Sequence, residues 1–399
     1  MTFTLSPGQS DALGAIERWL KTRDRPFFYL AGYAGTGKTS IARKLVEGKR
    51  AVFAAYTGKA ADVMAQRGCV GATTIHRLIY KPTGFDGDPA VKALRAEVSR
   101  LAGADAVDRG ALDAVLGKLA VLRAQAKGMG FVLDTENPEI RACDIIVIDE
   151  VSMASEQIIS DLMSFGKPIL VMGDPGQLPP VKAVGYFQTK TPDAMLTEVH
   201  RQALDSGVLQ IATMIREGRR PAIGIYGADR SVVVEQKTAS VLIPSTMRSA
   251  DQIICGYNRT RDKINFMLRG NDAPMLPVVG DKLVCLRNNH DAGFYNGSTM
   301  VATSDAWREG SRAFVFVERD GVRERVRMDL AAIAGAGAGN DYKAISLDYA
   351  WALTCHKAQG SQWGKVMVID ESDVARENAR SWLYTAVSRA SAQVVVALS

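Results

Sequence analysis

The sequence contains few features of secreted, disulfide-linked or membrane-spanning proteins. Its 399 residues include only five cysteines, which are scattered along the chain, and no pair of them has the spacing of metal ligands. The N-terminus lacks a basic segment followed by an apolar one, and no apolar run approaches the roughly 20 residues of a membrane span. These absences predict buried thiols in a reducing compartment and a soluble, cytoplasmic protein without a membrane partner.

The sequence also lacks a strong excess of charge of either sign. Its 49 Lys and Arg residues against 43 Asp and Glu residues give a formal net charge of +6. A mild positive excess suits a polyanionic partner without identifying one. The length predicts two or more domains, each with enough residues for a core of its own.

A glycine-rich segment lies near the N-terminus between a strand-like run and a helix-like run. Gly32–Thr39 reads GYAGTGKT; the apolar run Phe27–Leu30 precedes it, and Ser40–Val46 follows it with helical spacing. Strand, glycine loop and helix are the context in which this pattern binds phosphate, and a chance glycine-rich turn is the alternative. The backbone N–H groups and the helix N-terminus would face the β-phosphate. The expected nucleotide-binding residues here are Gly32, Gly35, Thr36, Gly37, Lys38, Thr39 and Ser40.

The loop and a second motif together predict a reaction. In the loop, Lys38 would reach the β- and γ-phosphates, and the Thr39 hydroxyl would bind Mg²⁺. The β-branched run Ile145–Ile148 is typical of a strand buried on both faces, and it ends in Asp149 and Glu150. Asp149 would hold Mg²⁺ through water, and Glu150 would polarise the attacking water. Taken alone, this run is equally well an ordinary buried strand that is followed by polar residues. Together with the phosphate loop, it predicts nucleoside triphosphate hydrolysis.

Strand and helix signals alternate in two stretches of the chain. The first has strands at 27–30, 51–56, 145–148 and 168–172 and helices at 40–46, 59–66 and 156–165. The second has helices at 207–217 and 259–269 and strands at 252–255, 283–286 and 366–370. This alternation predicts an α/β fold with parallel, doubly wound sheets.

Two other stretches interrupt this alternation. Apolar residues at helical spacing over 88–127 predict a helical hairpin inserted into the first α/β set, which either packs against its host or has a direct functional role. Alternating residues at 314–317 and 322–328, joined at Asp320-Gly321, predict a hairpin in a small antiparallel module over about 294–335.

Several ordered motifs together resemble a known family. The chain is similar to superfamily 1 helicases of the RecD/Dda-like group, the 5′→3′ branch. The matching stretches are Gly32–Thr39, Ala55–Ala61, Thr73–Leu78, Ile148–Met153, Gly173–Pro180, Leu196–Gln202, Leu353–Ser361 and Tyr384–Ala390, in the order of the family. The resemblance therefore extends over almost the whole chain.

The resemblance implies two RecA-like P-loop domains with two insertions. Residues 1–200 would form the first domain, with an insertion at 81–140 that contains the helical hairpin at about 88–127. Residues 201–399 would form the second domain, with a small antiparallel β-barrel at about 294–335. ATP and Mg²⁺ would bind in the cleft between the two domains.

The same resemblance assigns further roles around the nucleotide. Gln9 would read adenine, with a surface glutamine as the alternative, and Gln177 would sense the γ-phosphate unless its segment is only a Gly/Pro turn. Arg201 and Arg389, from the second domain, would meet the γ-phosphate, where a planar guanidinium stabilises charge on the transferring oxygens. His200 would help to position Arg201. Because the arginines cross from the other domain, closure and catalysis would be coupled.

A third group of residues is implied to face single-stranded DNA. Hydroxyls, amides and one lysine suit contact with phosphates regardless of sequence. The expected DNA-binding residues are Thr57, Lys59, Thr74, His76, Asn258, Thr354, His356 and Ser361.

Two positions depart from the family pattern or stay open. The insertion is longer than expected, so the strand-separating wedge is either Phe131 or the loop Asp134–Pro138, or the region is a plain linker. Arg323, Arg325 and Arg327 alternate and so share one strand face, which is either a solvated basic face or a DNA-contacting stripe.

The predicted function is an ATP-dependent 5′→3′ DNA helicase or translocase of a bacterial or phage-infected cell. Single-stranded and forked DNA are the expected substrates, the protein would act as a monomer, and single-strand-binding protein or other replication and repair proteins are implied partners. The alternatives are an RNA helicase of the same superfamily, since phosphate contacts alone do not detect the 2′-hydroxyl, and a nucleic-acid-gated ATP switch that remodels complexes without unwinding.

Overall fold

The computed structural model describes most of the chain. The described residues are 5–83, 89–102, 108, 110–111, 114–118, 130–179, 185–188, 190–198, 206–238, 243–270, 272–289, 292–310, 312–319, 321–330, 332–333 and 343–398. His200, Arg201 and residues 119–127 of the predicted second insertion helix lie outside them. All five cysteines are free thiols and buried, as predicted. No helix in the described ranges is both long and apolar enough to cross a membrane.

The elements up to residue 196 follow the predicted alternation. The helices are α1 (Pro7–Thr22), α2 (Lys38–Leu45), α3 (Gly58–Gln66), α4 (Ile75–Ile79), α5 (Pro89–Ala102), α6 (Pro138–Ala142) and α7 (Glu156–Met163). The strands are β1 (Phe27–Gly32), β2 (Ala51–Ala55), β3 (Thr73–Thr74), β4 (Tyr80–Thr83), β5 (Gly130–Leu133), β6 (Ile145–Asp149), β7 (Ile169–Gly173) and β8 (Ala194–Leu196).

Six of these strands form a parallel sheet in the order β3-β2-β6-β7-β1-β8. Strands β1, β6 and β7 are almost completely buried, which explains their unbroken apolar runs. Helix α1 packs Ile16 and Trp19 onto this sheet. Because the strands are parallel, the loops after β1, β6 and β7 all leave the sheet at its carboxyl edge, where ligands bind in open α/β folds.

Residues 75–142 form a compact unit of their own, and the rest of the described chain forms a second one. Within 75–142, β4 and β5 pair as an antiparallel ribbon, and Asn137 donates a hydrogen bond to the Leu78 carbonyl at 2.8 Å. The first predicted insertion helix is present as α5, and residues 114–118 are also helical. Phe131, on β5, exposes 71% of its surface.

The elements after residue 206 form two sheets. The helices are α8 (Gly207–Arg216), α9 (Pro244–Arg248), α10 (Asn258–Arg269), α11 (Cys355–Ala358) and α12 (Ala379–Val387). The strands are β9 (Gly224–Tyr226), β10 (Val232–Gln236), β11 (Gln252–Cys255), β12 (Lys282–Cys285), β13 (Thr299–Ala302), β14 (Trp307–Glu309), β15 (Arg312–Arg319), β16 (Val322–Met328), β17 (Leu347–Tyr349), β18 (Ala352–Thr354), β19 (Trp363–Ile369) and β20 (Ala390–Leu398).

The second parallel sheet has the order β18-β11-β19-β20-β10-β9, with only the edge strand β9 antiparallel. Helices α8 and α12 cover one face, where Ile211, Ile215, Trp382 and Tyr384 pack against the strands. The two α/β sets predicted from the sequence are therefore two separate parallel sheets. The predicted boundary at residues 200 and 201 lies outside the described residues.

Strands β12 to β17 form a curled antiparallel sheet, the β module. The predicted hairpin is its β15–β16 pair. The curl almost closes, because Ile345 N–H donates to Arg327 O at 2.8 Å and Asp329 N–H donates to Ile345 O at 3.0 Å. The module is larger than the predicted 294–335, since it begins at β12 and ends at β17.

The prediction that residues 283–286 continue a parallel sheet is wrong. Strand β12 pairs antiparallel with β13 and β17. Its two faces are both buried: Leu283 and Cys285 face the core of the β module, while Val284 packs on Leu353 of the second parallel sheet. A strand buried on both faces has the unbroken apolar run of a parallel strand, so the sequence pattern could not distinguish the two.

A buried ion pair joins α10 to the β module. Arg269 Nε lies 3.1 Å from Asp281 Oδ2, and the two side chains are only 9% and 4% exposed. The Arg269 guanidinium also lies over the Tyr349 ring, 3.7 Å from its centroid, and Asp281 accepts a hydrogen bond from Val278 N–H. Removing one partner of such a pair leaves a buried charge uncompensated.

We therefore expect Asp281→Ala to lower the free energy of unfolding by about 3–5 kcal/mol, measured by urea denaturation. The control is Asp24→Ala, which removes the exposed Arg25–Asp24 pair (42% and 58% exposed side chains); its cost should stay below about 1 kcal/mol. Equal costs for the two variants would contradict a structural role for the buried pair.

Candidate active site

The loop after β1 has the backbone of a phosphate cradle. Gly35 and Gly37 have φ angles of 77° and 83°, in the left-handed region that favours glycine, and α2 begins directly after Gly37. Gly32 is required for a different reason, because a Cβ there would lie 2.7 Å from Thr36 Oγ1. The cavity over this loop has a volume of about 340 Å³ and is lined by Tyr33, Gly35, Thr36, Gly37, Lys38, Thr39, Ser40, Arg43 and Arg67.

The residues predicted to hold Mg²⁺ lie together. The Thr39 hydroxyl, in the first turn of α2, is 3.4 Å from Asp149 Oδ2 at the end of β6. The described residues contain no group of three or more His, Cys, Asp or Glu side chains that could hold a metal by themselves. A hydroxyl and a carboxylate with room for phosphate oxygens and water are a donor set that fits Mg²⁺, which is rarely held by protein ligands alone.

Lys38 lies in the cavity, and its ammonium donates to the carbonyl oxygens of Gly32 at 2.6 Å and Tyr33 at 3.2 Å. Its contact with the β- and γ-phosphates stays a prediction. Gln9 is buried, and its side-chain amide is already used: Oε1 accepts from Ser6 N–H at 3.0 Å and Nε2 donates to Thr36 O at 2.9 Å. In this arrangement Gln9 supports the phosphate loop, and its recognition of adenine stays a prediction.

Glu150 has the backbone and electrostatics of a functional residue. Its φ of 54° and ψ of 42° place a non-glycine residue in the left-handed region, a strain that is common at active sites. Burial raises the pKa of its carboxyl, and the positive charges of Arg389 and Lys38 oppose that rise. A raised pKa brings a carboxylate closer to the range in which it can accept a proton from water near neutral pH.

Arg389 crosses from the second parallel sheet to this site. It is only 6% exposed, and its guanidinium donates to Thr385 O at 3.1 Å, Ser361 O at 3.3 Å and Ser388 Oγ at 3.1 Å. The positive charge of Arg389 opposes the rise in the pKa of Glu150, and the joint catalytic role of the two residues stays a prediction. The other predicted arginine, Arg201, lies outside the described residues.

Gln177 lies in the loop after β7, which leaves the first parallel sheet at its carboxyl edge. Gln177 is buried, its N–H donates to Asp174 O at 3.2 Å, and its side-chain Oε1 has no hydrogen-bond partner among the described residues. A buried unpaired amide oxygen at a phosphate site is suited to a water or phosphate-linked hydroxyl, since burial without a partner is costly. The arrangement is consistent with the predicted sensing role.

Two side chains packed around the second parallel sheet, Thr385 on α12 and Gln359 after α11, form hydrogen bonds with the same loop at Leu178. Leu178 N–H donates to Thr385 Oγ1 at 2.8 Å, and Leu178 O accepts from Gln359 Nε2 at 2.7 Å. Gln359 lies in the segment Leu353–Ser361 that was predicted to face DNA. The loop that carries Gln177 is therefore tied to the predicted DNA-binding segment by side chains of one interface.

The predicted DNA-binding residues divide by exposure. Thr74, Thr354 and Ser361 are 5%, 8% and 3% exposed, so their side chains offer little surface to a phosphate. The more accessible members are Thr57, Lys59, His76, Asn258 and His356. Burial lowers the pKa of both His76 and His356, so both rings are neutral near pH 7 and contribute hydrogen bonds rather than charge. DNA contact by these residues stays a prediction.

Two glycines allow the predicted DNA-binding segments to meet. A Cβ on Gly360 would lie 2.6 Å from Thr57 Oγ1, and a side chain on Gly58 would collide with Tyr295 of the β module. The N-terminus of α3 is thus in direct contact with both the 353–361 segment and the β module. Sequence reasoning did not single out Tyr295; nothing in the pattern around it signals this contact.

Sequence reasoning also missed the roles of Asp174 and Tyr384, although both lie inside quoted motifs. The Tyr384 hydroxyl donates to Asp174 Oδ2 at 2.6 Å and accepts from Ala34 N–H at 3.1 Å. A tyrosine on an apolar helix face reads as core in a sequence, and only the fold shows that its hydroxyl reaches the phosphate loop.

Comparison with known proteins finds one matching domain family and several similar helicases. A family model described as an AAA domain matches residues 4–237, and one described as a UvrD-like helicase C-terminal domain matches residues 349–397. The ATP-dependent RecD2 DNA helicase of Deinococcus radiodurans is 24% identical over 392 residues, which cover 90% of this chain and 45% of the relative. The RecBCD subunit RecD of Mycobacterium tuberculosis is 26% identical over 405 residues, which cover 92% and 66%. The chain thus spans about half to two thirds of these relatives.

Solved structures of Pif1 helicases share the fold. One is a Pif1 structure from work on unwinding at forked duplex DNA by two coordinating Pif1 helicases. It has a TM-score of 0.57 and 18% identity, and the match covers 99% of this chain and 92% of the Pif1 chain. Pif1 of Candida albicans has a TM-score of 0.54 at 17% identity and covers 99% and 94%. These likenesses confirm two RecA-like domains, with the curled antiparallel sheet in the second.

We expect Glu150→Gln to lower the ATP hydrolysis rate by more than about tenfold while ATP still binds, because the amide cannot accept the proton of water. The raised pKa of Glu150 adds a pH signature. A base with a raised pKa is protonated, and lost, at a higher pH than an ordinary glutamate as the pH falls. The acid limb of the wild-type rate should therefore lie above the pH range in which a solvent-exposed glutamate titrates.

The control for this variant is Glu156→Gln, which changes an exposed glutamate in the first turn of α7. Its rate and pH profile should match those of the wild type. A Glu150→Gln enzyme that turns over within tenfold of wild type, with the same acid limb, would show that Glu150 is not the base.

Proposed function

Because this chain belongs to the AAA domain family, we propose that it is a RecD/Pif1-like helicase of superfamily 1. It hydrolyses ATP between its two RecA-like domains, moves 5′→3′ along single-stranded DNA and unwinds duplex. The observation that carries this proposal is the position of Arg389, which acts electrostatically on Glu150 in the first domain and bonds to Ser361 O in the segment implied to face DNA.

The nucleotide site supports a hydrolytic mechanism. Thr39 and Asp149 would hold Mg²⁺, which supplies charge neutralisation at the phosphates when bound. Lys38 binds the phosphate side of the cradle, Glu150 accepts the proton of the attacking water, and Arg389 stabilises the charge that develops on the transferring oxygens. Gln177 orients groups at the γ-phosphate from the loop that Leu178 ties to the second domain.

The nucleic-acid side supports coupling between binding and hydrolysis. Thr57 and Gly360 come from different domains and touch each other, so a strand bound at either one also meets the other domain. A strand that bridges both domains favours the arrangement in which Arg389 faces Glu150, which is a shift of population rather than a new state. This supports hydrolysis that rises with single-stranded DNA.

Two alternatives make different predictions. An RNA helicase of the same superfamily would unwind RNA as well as or better than DNA. A nucleic-acid-gated switch would hydrolyse ATP in response to single strands and displace no strand. The bacterial or phage cytoplasm, action as a monomer, and partners among single-strand-binding, replication and repair proteins are proposals that follow from the resemblance.

The experiment is strand displacement on matched duplexes with a 5′ or a 3′ overhang, each made in DNA and in RNA, with ATP and Mg²⁺. The proposal expects displacement only from the 5′ overhang and only with DNA. Lys38→Ala is the control, since it should bind strands but neither hydrolyse ATP nor displace them. ATP turnover without displacement of any duplex would favour the switch, and RNA displacement would favour the RNA helicase.

The outer face of the β module adds a testable DNA contact. Arg323 lies over the ring of Phe316 at 4.6 Å and Arg325 over that of Phe314 at 4.1 Å, and Arg325 also pairs with Glu309 at 2.7 Å. Guanidinium groups stacked on aromatic rings suit a single strand, which binds through phosphates and base stacking. The same contacts also suit a self-satisfied solvated face, so both readings of the stripe stay open.

Replacing Arg323, Arg325 and Arg327 together by Ala decides between them. A DNA-contacting stripe predicts weaker binding for every sequence and a salt dependence that flattens by up to about 0.7 in log–log slope per lost contact. A salt titration with a labelled oligonucleotide measures both. Unchanged affinity and slope would remove the β module from the DNA path.

The control for the stripe replaces three exposed basic residues elsewhere by Ala, namely Arg18, Lys21 and Arg23 at the end of α1. It changes the net charge by the same amount. Equal losses in the two triple variants would show a general charge effect rather than a specific contact.

A further inference from the structure

One hydroxyl connects three segments, namely α12, the phosphate loop and the loop after β7. Tyr384 lies on α12, and its hydroxyl donates to Asp174 Oδ2 at 2.6 Å while accepting from Ala34 N–H at 3.1 Å. Tyr384 and Asp174 are each only 2% exposed. Ala34 belongs to the phosphate loop, and Asp174 opens the loop that carries Gln177.

The direction of these hydrogen bonds is fixed by chemistry. The backbone N–H of Ala34 can only donate, and the ionised carboxylate of Asp174 can only accept, so the phenol must accept from one and donate to the other. Burial and the charge of Asp174 raise the pKa of Tyr384 well above its usual value, so the proton stays on the hydroxyl near neutral pH. A hydrogen bond to a charged acceptor is stronger than one between neutral groups.

The other carboxylate oxygen of Asp174 accepts a hydrogen bond from within its own loop. Its Oδ1 accepts from Gly176 N–H at 2.9 Å, and a Cβ on Gly176 would lie 3.1 Å from the Tyr384 ring. Asp174 also contributes to raising the pKa of Glu150, which shows that its charge reaches the proposed base. The carboxylate thus fixes the turn before Gln177 and links it to the hydroxyl of Tyr384.

The helix that carries Tyr384 also leads to the catalytic arginine. Arg389 lies five residues after Tyr384, and its Nε donates to Thr385 O at 3.1 Å. Thr385 in turn accepts from Leu178 N–H at 2.8 Å. Adjacent residues of α12 therefore bond to the phosphate loop, to the Gln177 loop and to Arg389.

We propose that Tyr384 is a positioning residue for ATP hydrolysis, whose hydroxyl sets the phosphate loop at Ala34 and the Asp174–Gln177 loop in register with the helix that presents Arg389. This inference rests on the proposed function. The ring of Tyr384 belongs to the apolar core under α12, so its packing stabilises the domain. The hydroxyl acts on geometry: without it, the two loops of the first domain are no longer bonded to α12 at this point.

The test is Tyr384→Phe, which keeps the ring and removes the hydroxyl. Steady-state ATP hydrolysis with saturating single-stranded DNA should show a kcat roughly tenfold to a hundredfold lower, the range of a lost hydrogen bond to a charged group. The KM for ATP should change by less than about threefold, because Lys38 and the cradle remain. The melting temperature should stay close to that of the wild type, since the ring packing is retained.

The matched control is Tyr29→Phe. Tyr29 is also buried, and its pKa is raised to about 12 by burial and by the charge of the same Asp174. It lies on β1 in the first domain and takes no part in the bridge to α12. Its kcat should match the wild type. Equal losses of kcat in the two variants would overturn the inference, because they would reflect loss of any hydroxyl near Asp174.

A second variant tests the bridge from the carboxylate side. Asp174→Asn removes the negative charge and leaves one amide oxygen where two carboxylate oxygens accept from the Tyr384 O–H and Gly176 N–H. In a double-mutant cycle, Tyr384→Phe with Asp174→Asn should cost no more in kcat than the more severe single variant. Fully additive losses would overturn the inference, as would wild-type kcat in Tyr384→Phe.

These outcomes separate the inference from the proposed function. A wild-type protein without ATP hydrolysis contradicts the proposed function. A wild-type protein that hydrolyses ATP, with Tyr384→Phe equal to it, contradicts only the role of Tyr384.

Discussion

Hydrogen bonds between α12 and two loops of the first RecA-like domain determine what the rest of the structure can do. Two of these hydrogen bonds are buried in the interface. One runs from Leu178 N–H to Thr385 Oγ1, and the other from the Tyr384 O–H to Asp174. Each such bond is exchanged for water in the unfolded chain, so its net free energy is small, but a buried donor or acceptor left unpaired is costly. These bonds therefore favour the relative position of the domains in which they form. We propose that this restriction holds Arg389 near Glu150 and that hydrolysis depends on it.

In the proposed function, the same restriction connects the nucleotide to the nucleic acid. Arg389 donates to Ser361 O and Gln359 donates to Leu178 O, so the segment implied to face DNA contacts one proposed catalytic residue and the loop that carries another. The proposal needs no long pathway through the core, because the two proposed sites would share one set of interdomain contacts. Any coupling of binding free energies between them would be reciprocal.

Much of the fold could be predicted from local signals. The phosphate loop, the Asp149–Glu150 strand and the hairpin at β15–β16 depend on glycine, β-branched and alternating patterns that are set by nearby residues. Strand β12 was assigned to the wrong sheet, because burial on both faces gives the same pattern in a parallel sheet and between two packed layers. The interdomain contacts of Tyr384, Gln359 and Tyr295 could not be predicted, since their partners lie far away in sequence.

The central claim is that the nucleotide cleft and the strand-binding groove share one interface, and a linkage measurement tests it most directly. The affinity for a labelled single-stranded oligonucleotide is measured without nucleotide and with a saturating non-hydrolysable ATP analogue and Mg²⁺. Coupling of about 1–3 kcal/mol predicts a change of roughly fivefold or more between the two conditions. Identical affinities in both would contradict the account, because they correspond to a coupling free energy of zero.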